Sequence, residues 1–422
     1  MTRTNSSLLL TGALLIAGCV QPGQEATGGS PFIADRLQRL DTTIQRSIDE
    51  GEIPGAVILI THGGETVYHK ALGYSDIERK IPVTEETIFR IASMSKAITS
   101  VGIMILYERG HFLLTDPVSD YLPEFKNPKV LVKADEAGRI LETRDASREI
   151  TIIDLLTHTS GISYPFIESA VQTVYKTAGV IDGVTARPVL LQDQMKLLAQ
   201  QPLLHDPGEK FTYGLNTDLL GYFCEVMSGK PFDRFLSEGI FRPLGMSDTY
   251  FYLPQEKASR LATLYAVDED GGLKISKGDE SDIYLDNPLY PVEGAKTYFS
   301  GGGGLSSTAR DYARFLQMLL NEGELDGNRI LGRKSVELLT SPRVSFTENG
   351  KPKMSAAFYV AGTPGEEGGL ASVGAYSWGG AFYTTYFIDP NEDLIGVFMS
   401  QGRPVNSSIQ DKFKVLVYQA LR

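Results

Sequence analysis

Cysteine and histidine, the side chains that build disulfides and most transition-metal centres, are scarce in this chain. Its 422 residues include two cysteines and five histidines. Cys224 lies in an apolar helical run and Cys19 near the amino terminus, so no disulfide is expected. The histidines lack the spacing of metal ligands, so no metal site is expected either: they are His62, His69, His111, His158 and His205.

Positive charge and long apolar runs are also in short supply. Lysine and arginine total 40 against 52 acidic residues, a formal net charge of −12. This balance disfavours nucleic acid and anionic lipid surfaces as partners. No apolar stretch in the mature chain is long enough for a transmembrane helix. The motif Gly-x-Ser-x-Gly is absent as well, which excludes the usual nucleophile turn of α/β-hydrolases.

The first 18 residues are predicted to be an export signal. Arg3 supplies a positive start, residues 8–17 are apolar, and Ile16-Ala17-Gly18-Cys19 is a small-residue cleavage site that ends in cysteine. This pattern resembles a bacterial lipoprotein signal, which implies export and a lipid on Cys19 that anchors the chain in the cell envelope, on the periplasmic side of the outer membrane in a Gram-negative cell. An ordinary secretory signal cut near Gly18 is the alternative. Residues 19–30 are predicted to be a flexible tether.

Residues 31–422 are predicted to form the folded domain, with strands contributed by both ends of the chain. Apolar spacing predicts helices at 33–50, 94–109, near 153, 190–200, 216–228 and 407–421. Alternating and β-branched runs predict strands at 56–61, 66–73, 357–361, 381–388 and 394–401, with a further hairpin at 130–143. An α/β lobe of about 31–92 and 295–422, with a mostly helical lobe of about 93–294 inserted, is the simplest assembly.

A serine and a lysine three residues apart open the long apolar helix. Ser93-Met94-Ser95-Lys96 is the one place where serine is followed at that spacing by lysine. Residues three apart share a helix face, so the hydroxyl and the amine would point into the same space. A serine needs such a base to become a nucleophile, and an uncharged lysine can serve. A helix N-cap is the ordinary alternative, but a lysine in the first turn of a buried helix is costly without a purpose.

Two later segments could complete a catalytic site. Tyr213 lies in a turn before a predicted helix, and a phenol beside a cation can pass a proton to a leaving group; core packing is its ordinary explanation. Ser377-Trp378-Gly379-Gly380-Ala381 holds the single tryptophan at the start of a predicted strand, and its glycines allow close backbone approach. The Ala381 and Ser93 N–H groups would then form an oxyanion hole. A strand-edge bulge is the alternative.

Together these motifs resemble the serine β-lactamase-related superfamily, which includes class C β-lactamases, DD-peptidases and family VIII carboxylesterases. The resemblance rests on Ser93-x-x-Lys96, Tyr213, Trp378-Gly379-Gly380, the run 155–161 and the run 301–305, and extends from about 33 to 420. It implies an antiparallel sheet flanked by helices with an inserted helical lobe. It also implies an acyl-enzyme on Ser93, a proton-transfer role shared by Lys96 and Tyr213, and no metal or cofactor.

Two departures from class C enzymes favour esters as substrates. Class C enzymes carry Tyr-x-Asn, whereas Leu215 stands third here and Asn216 comes one position later, turned by about 100 degrees on a helix. The Lys-Thr-Gly of β-lactamases is Trp378-Gly379-Gly380 here, so the cation that pairs with a substrate carboxylate is missing. Family VIII esterases resemble this chain in both respects. We expect these five residues to border the substrate pocket, with Tyr164 and Phe166 as walls of the acyl pocket.

The neighbourhood of His158 is predicted to be structural. His158 follows Asp154 by four residues with Ser160 close by, but consecutive positions cannot converge as a catalytic triad does. We expect His158 near a helix C-terminus with Gly161 as the cap. The glycines 301–304 are expected to form a turn before a helix at 309–320, with a supporting role at the pocket floor.

The sequence thus favours a carboxylesterase that acts on small neutral ester substrates, with slow β-lactam turnover. Two alternatives stay open. One is a β-lactamase or DD-peptidase. The other is a catalytically silent lipoprotein that binds cell-wall peptide or a protein partner. Contact with the membrane is expected through the lipid anchor alone, and the oligomeric state is left open.

Overall fold

A seven-stranded antiparallel sheet is built from both ends of the chain. The computed structural model describes residues 1–2, 32–268, 271–277, 287, 289–346, 350–351, 353–365, 369–403 and 407–422. Phe32–Arg422 is one compact unit, and Met1–Pro31 is a separate one. Apart from Met1 and Thr2, the predicted signal segment, the tether and Cys19 lie outside the described residues.

The helices and strands follow in chain order. The helices are α1 (Ala34–Asp49), α2 (Ser95–Glu108), α3 (Ile152–Leu156), α4 (Gln172–Ala178), α5 (Leu191–Ala199), α6 (Asn216–Ser228), α7 (Phe232–Leu236), α8 (Ala309–Leu320), α9 (Arg333–Thr340) and α10 (Ile409–Tyr418). The strands are β1 (Gly55–His62), β2 (Glu65–Asp76), β3 (Ile81–Pro82), β4 (Phe89–Arg90), β5 (Lys129–Ala134), β6 (Ile140–Asp145), β7 (Tyr265–Val267), β8 (Leu273–Ile275), β9 (Ser306–Ser307), β10 (Glu324–Leu325), β11 (Asn328–Arg329), β12 (Tyr359–Val360), β13 (Tyr376–Gly380), β14 (Thr384–Asp389) and β15 (Leu394–Met399).

The sheet has the order β12-β13-β14-β15-β1-β2-β3 and is covered on both faces. Strand β1 is apolar and almost wholly buried because its alternate side chains enter two different cores. Val57 and Leu59 pack in the large core that includes α2 and α8, whereas Ile58 and Ile60 pack in the core that includes α1 and α10. The turn from β1 to β2 holds Gly63 and Gly64 at φ of 60° and 78°, which a tight hairpin requires.

Helix α2 is buried around nearly its whole circumference, as its sequence predicts. Every residue from Ser95 to Leu106 is buried. The α-helix begins at Ser95 rather than at Met94, because Ala92–Met94 form a 3₁₀ turn that leads into it. Helix α2 packs against α6, which spans the predicted 216–228. Between α2 and β9 the described residues are mostly in helices and loops, with the β5–β6 hairpin near its predicted position.

The strand predicted at 381–388 is present as β14, but it begins at Thr384 rather than at Ala381. Trp378 does not begin that strand; it lies inside β13, and a turn at 381–383 leads back into β14. The turn is closed by the Tyr383 N–H, which donates to the Gly380 carbonyl at 3.1 Å, and Tyr383 has a φ of 71°. The reversal brings the glycine pair to the end of β13, where it faces the 3₁₀ turn that carries Ser93.

Helices long and apolar enough to cross a bilayer do not occur among the described residues.

Candidate active site

Ser93 lies in the 3₁₀ turn at the entrance to α2. Its predecessor Ala92 has a φ of 42°, a left-handed backbone that is costly for a residue with a Cβ. Such strain persists where the surrounding structure imposes it, and it often marks a functional site. Here it turns the backbone so that Ser93 reaches a cavity, while Ala92 and Met94 on either side are buried.

The Lys96 amine is buried one turn further along and makes three hydrogen bonds. Nζ donates to the Gly302 carbonyl at 2.7 Å, to the Tyr164 hydroxyl at 3.0 Å and to Ser93 Oγ at 3.3 Å. The predicted shared face of Ser93 and Lys96 is therefore present. These contacts fix the amine beside the serine and satisfy a group that would be costly to bury alone.

Tyr213 reaches the same serine from 120 positions downstream. Its hydroxyl donates to Ser93 Oγ at 2.7 Å, and the Lys96 Nζ lies 4.6 Å from the centre of its ring. Gly214 makes this approach feasible, because a Cβ there would lie 2.1 Å from the Ile162 carbonyl oxygen. The serine oxygen thus has a phenol and an amine within reach, the geometry that activates a nucleophile and moves its proton.

The end of β13 borders the serine from the other side. A Cβ on Gly380 would lie 2.3 Å from the Ile91 carbonyl oxygen, so glycine is needed for the strand to pack against this backbone. The Trp378 ring lies 6.0 Å from the Tyr213 ring. Gly379 precedes Gly380 in β13, and Ala381 lines the same small cavity of about 30 Å³ as Ser93.

The combination of fold and site is matched by known proteins. A family model described as Beta-lactamase matches residues 40–419. The chain belongs to the β-lactamase family. The resemblance inferred from the motifs is confirmed.

Two relatives and one solved structure support the same assignment. Protein Rv1367c of Mycobacterium tuberculosis is 32% identical over 376 residues, covering 86% of this chain and 89% of that protein. Esterase EstB of Burkholderia gladioli is 29% identical over 378 residues, covering 86% and 90%. The structure of EstCE1, described as a hydrolase with promiscuous acyltransferase activity, is 28% identical with a TM-score of 0.78, covering 91% of this chain and 98% of that one. The protein is a serine hydrolase with the β-lactamase/transpeptidase-like fold.

In this β-lactamase-family chain, Tyr164 does more than wall the pocket. Tyr164 and Phe166 both line the cavity, stacked with ring centres 4.6 Å apart. The Tyr164 hydroxyl also accepts the bond from Lys96 and therefore helps to hold the amine in place. Tyr164 is 68 residues from Lys96, and no spacing rule could have linked them.

Asp218, which lies beside the glycine run 301–304, was not identified as a site residue from sequence. Asp218 is fully buried and accepts a hydrogen bond from the Ser300 hydroxyl at 2.6 Å. Burial raises the pKa of Asp218 to about 6, against the opposing effects of the Ser300 bond and the Lys96 charge. A Cβ on Gly302 would lie 2.5 Å from Asp218 Oδ2, so the glycine lets its backbone approach and present its carbonyl to Lys96. The glycine run, which was predicted to support the floor of the pocket, thus makes a specific contact: the Gly302 carbonyl accepts a hydrogen bond from Lys96.

The prediction that Leu215 and Asn216 border the pocket is wrong. Both are completely buried and neither lines the cavity. The Asn216 amide is engaged elsewhere: Oδ1 accepts from Ser160 Oγ at 2.5 Å and Nδ2 donates to His158 Nδ1 at 3.0 Å. The physical reason is the start of α6 at Asn216, which turns these side chains into the core while Tyr213 still points to Ser93.

His158 supports Tyr213 rather than taking part in a triad. Its ring lies 5.1 Å from the Tyr213 ring. Burial, and next the nearby Lys96 charge, lower the pKa of His158 well below the usual value, so the imidazole is neutral. Gly161 is not the cap of α3, since the helix ends at Leu156 and His158 itself has the left-handed φ of 56°.

Proposed function

We propose that the protein is a carboxylesterase that acts on small neutral esters through an acyl-enzyme on Ser93. The observation that carries the proposal is the meeting of Tyr213 and Lys96 at Ser93 Oγ, at 2.7 and 3.3 Å. A positioned phenol and amine can take the serine proton while Oγ attacks the ester carbonyl. Esterase EstB and EstCE1 support this class of reaction.

The proposed first half-reaction forms the acyl-enzyme. In the proposed reactive form the Tyr213 hydroxyl is ionised, and the Lys96 ammonium, 4.6 Å from the centre of the ring, stabilises the phenolate. Ser93 Oγ bonds to the carbonyl carbon as its proton passes to that phenolate oxygen. The carbonyl oxygen, now negative, would be held by the N–H groups of Ser93 and Ala381. The ester C–O bond then breaks, and the same proton goes to the departing alcohol. Water repeats the sequence and releases the acid.

Two features support a neutral ester over a β-lactam or a peptide C-terminus. At the end of β13, where the Lys-Thr-Gly of β-lactamases presents a cation, this chain has Trp378-Gly379-Gly380. A carboxylate-bearing substrate would lose a charge-assisted hydrogen bond of roughly 1.5 to 3 kcal/mol, whereas a neutral ester loses nothing. The cavity beside Ser93 is also lined mainly by glycine and by apolar or aromatic side chains, which suits an uncharged acyl group.

A comparison of substrates tests this proposal. We expect kcat/KM for p-nitrophenyl butyrate to exceed that for nitrocefin by about a hundredfold or more, and Ser93→Ala to abolish turnover of both. Comparable values for the two substrates would favour a β-lactamase, with a DD-peptidase tested on a D-alanyl-D-alanine peptide. If no ester, amide or cephalosporin is turned over, the catalytically silent lipoprotein becomes the better account.

The export signal and the Cys19 lipid anchor remain part of the proposal. They rest on Ile16-Ala17-Gly18-Cys19 and its apolar flank. A lipid on Cys19 would place the hydrolase in the cell envelope, where esters and cell-wall peptides are accessible.

A further inference from the structure

A carboxylate that the proposed mechanism does not use lines the cavity beside the nucleophile. Asp182 lies in the connection from α4 to α5 and borders the same cavity as Ser93, Tyr164 and Ala381. Its Oδ1 accepts a hydrogen bond from the Phe166 N–H at 3.0 Å. The neighbouring Ile181 N–H donates to Gln194 Oε1 of α5 at 3.1 Å, so hydrogen bonds to Phe166 and to α5 hold this part of the loop.

The carboxylate is the charged side chain among the described residues that line this cavity, whereas the Lys96 amine lies behind the lining, bonded to Ser93, Tyr164 and Gly302. Among the described residues that line this cavity, Asp182 alone has an ionisable acid or base other than a phenol. Burial raises the pKa of Asp182 to about 7, while the Phe166 N–H and the charge of Lys176 act in the opposite direction. The phenols of Tyr164 and Tyr298 also lie within its electrostatic reach. The acid is therefore mostly ionised at mildly alkaline pH.

We infer that Asp182 selects substrates by their charge, an inference that rests on the proposed function. Asp182 favours esters that carry an ammonium group and rejects esters that carry a carboxylate. A half-buried carboxylate attracts a substrate cation held beside it more strongly than an exposed carboxylate does, and it repels an anion equally. Trp378 in β13, where β-lactamases have a lysine, likewise offers no cation to an anionic substrate. The proposed substrate class is thus widened from neutral esters to neutral and cationic ones, and esters that carry a carboxylate are excluded.

Two series of substrates that differ in charge but little in shape test this inference. The charge lies on the leaving group in the thioester series and on the acyl group in the acyl series. The thioester series is acetylthiocholine, its neutral carbon analogue S-(3,3-dimethylbutyl) thioacetate, and the anionic S-acetyl-3-mercaptopropionate. The acyl series consists of p-nitrophenyl esters of 4-(trimethylammonio)butyrate and of its neutral analogue 5,5-dimethylhexanoate. Ratios of kcat/KM within each series are compared at pH 8.5 for the native protein, Asp182→Asn, Asp182→Glu and the control Asp35→Asn. Asp35 is an exposed acid on α1, so the control changes net charge equally.

In at least one series, we expect the cationic-to-neutral ratio to fall about tenfold or more in Asp182→Asn. The anionic-to-neutral ratio should rise, Asp182→Glu should recover part of the preference, and Asp35→Asn should match the native ratios. Because each ratio is taken within one protein, a general loss of rate cancels. The native preference should also weaken as the pH falls through about 7, and Asp182→Asn should lack this dependence. Ratios that are unchanged in Asp182→Asn in both series would overturn the inference.

A failure of the esterase proposal can be distinguished from a failure of the Asp182 inference. If no ester is hydrolysed, the esterase proposal fails, and the subsite is tested by binding of choline, followed by the fluorescence of Trp378, the single tryptophan of the chain. Choline affinity about tenfold weaker in Asp182→Asn would still support a cation subsite. Equal affinities, or no binding to the native protein, would contradict it.

Discussion

At the scale of single residues, the site depends on contacts between segments that are far apart in the chain. Ser93 and Lys96 could be paired from sequence because residues three apart share a helix face. Tyr213 could be proposed only through the family resemblance, since one tyrosine among 20 carries no positional information. Tyr164 was proposed as a wall of the pocket, but its hydrogen bond with Lys96 and the place of Asp218 near that amine could not be predicted, because packing alone creates them.

Removal of the Tyr213 hydroxyl should slow the reaction without a matching loss of binding. Tyr213→Phe deletes the group that lies 2.7 Å from Ser93 Oγ, so we expect kcat on p-nitrophenyl butyrate to fall by about 10² to 10⁴ with KM little changed. Tyr222→Phe is the matched control, because that hydroxyl bonds Glu124 outside the site. Equal effects of the two changes would argue against a proton-transfer role for Tyr213.

The neutral state of buried His158 should make stability depend on pH. Its native pKa is lowered, so below the ordinary value of 6.5 the unfolded chain binds a proton that the folded protein does not. The free energy of unfolding should therefore decrease as the pH falls below 6.5, by up to about 1.4 kcal/mol per pH unit.

Chemical denaturation between pH 5 and 8 measures this contribution. His158→Asn, which tolerates the left-handed backbone, should lack it, whereas His111→Asn at an exposed position should retain the native slope. A native slope in His158→Asn would show that this imidazole titrates normally.

At the scale of elements, strong periodic patterns were predicted well and reversals within glycine-rich segments were not. The 216–228 helix and the buried α2 follow from apolar spacing, and the β1–β2 turn follows from its two glycines. The β13–β14 reversal was missed because residues 377–388 also fit one strand by composition. What separates the strands is the tight turn closed by Tyr383 and Gly380, which depends on how β13 meets the 3₁₀ turn.

The close approach of β13 to the Ser93 turn should be sensitive to one methyl group. In Gly380→Ala the new Cβ would lie 2.3 Å from the Ile91 carbonyl oxygen and 2.4 Å from Thr384 Oγ1, so the strand must shift. We expect a loss of about 1 to 3 kcal/mol in stability and at least a tenfold fall in kcat. Gly369→Ala, where the added Cβ meets nothing within 4 Å, should leave both measurements close to native. Native activity in Gly380→Ala would show that catalysis does not depend on the close packing of β13 against the Ser93 turn.

At the scale of the whole molecule, the fold brings the two ends of the chain into one sheet and places the site beside it. The antiparallel order β14-β15-β1-β2 pairs strands from residues 55–76 with strands from 384–399. Sequence patterning predicted this assembly because both ends carry strand-like runs and the middle carries helical ones. It could not predict which loops line the cavity, since loops such as that of Asp182 are placed by tertiary contacts.

The proposed anchor is a property of the whole chain and has its own test. With the native signal segment present, Cys19→Ser should abolish incorporation of labelled palmitate and move the protein from the membrane fraction to the soluble one. Both changes follow if the cysteine thiol carries the lipid. Cys224→Ser, at a buried position, is the control and should stay with the membrane fraction. Membrane association unaffected by Cys19→Ser would contradict lipidation at this residue.

The central claim, that Ser93 is the nucleophile, is tested most directly by mapping a fluorophosphonate adduct. The native protein is treated with the probe, digested and analysed by peptide mass spectrometry. We expect one adduct, on Ser93, with labelling lost in Ser93→Ala and strongly slowed in Tyr213→Phe. An adduct on another residue, or labelling that persists unchanged in Ser93→Ala, would contradict it.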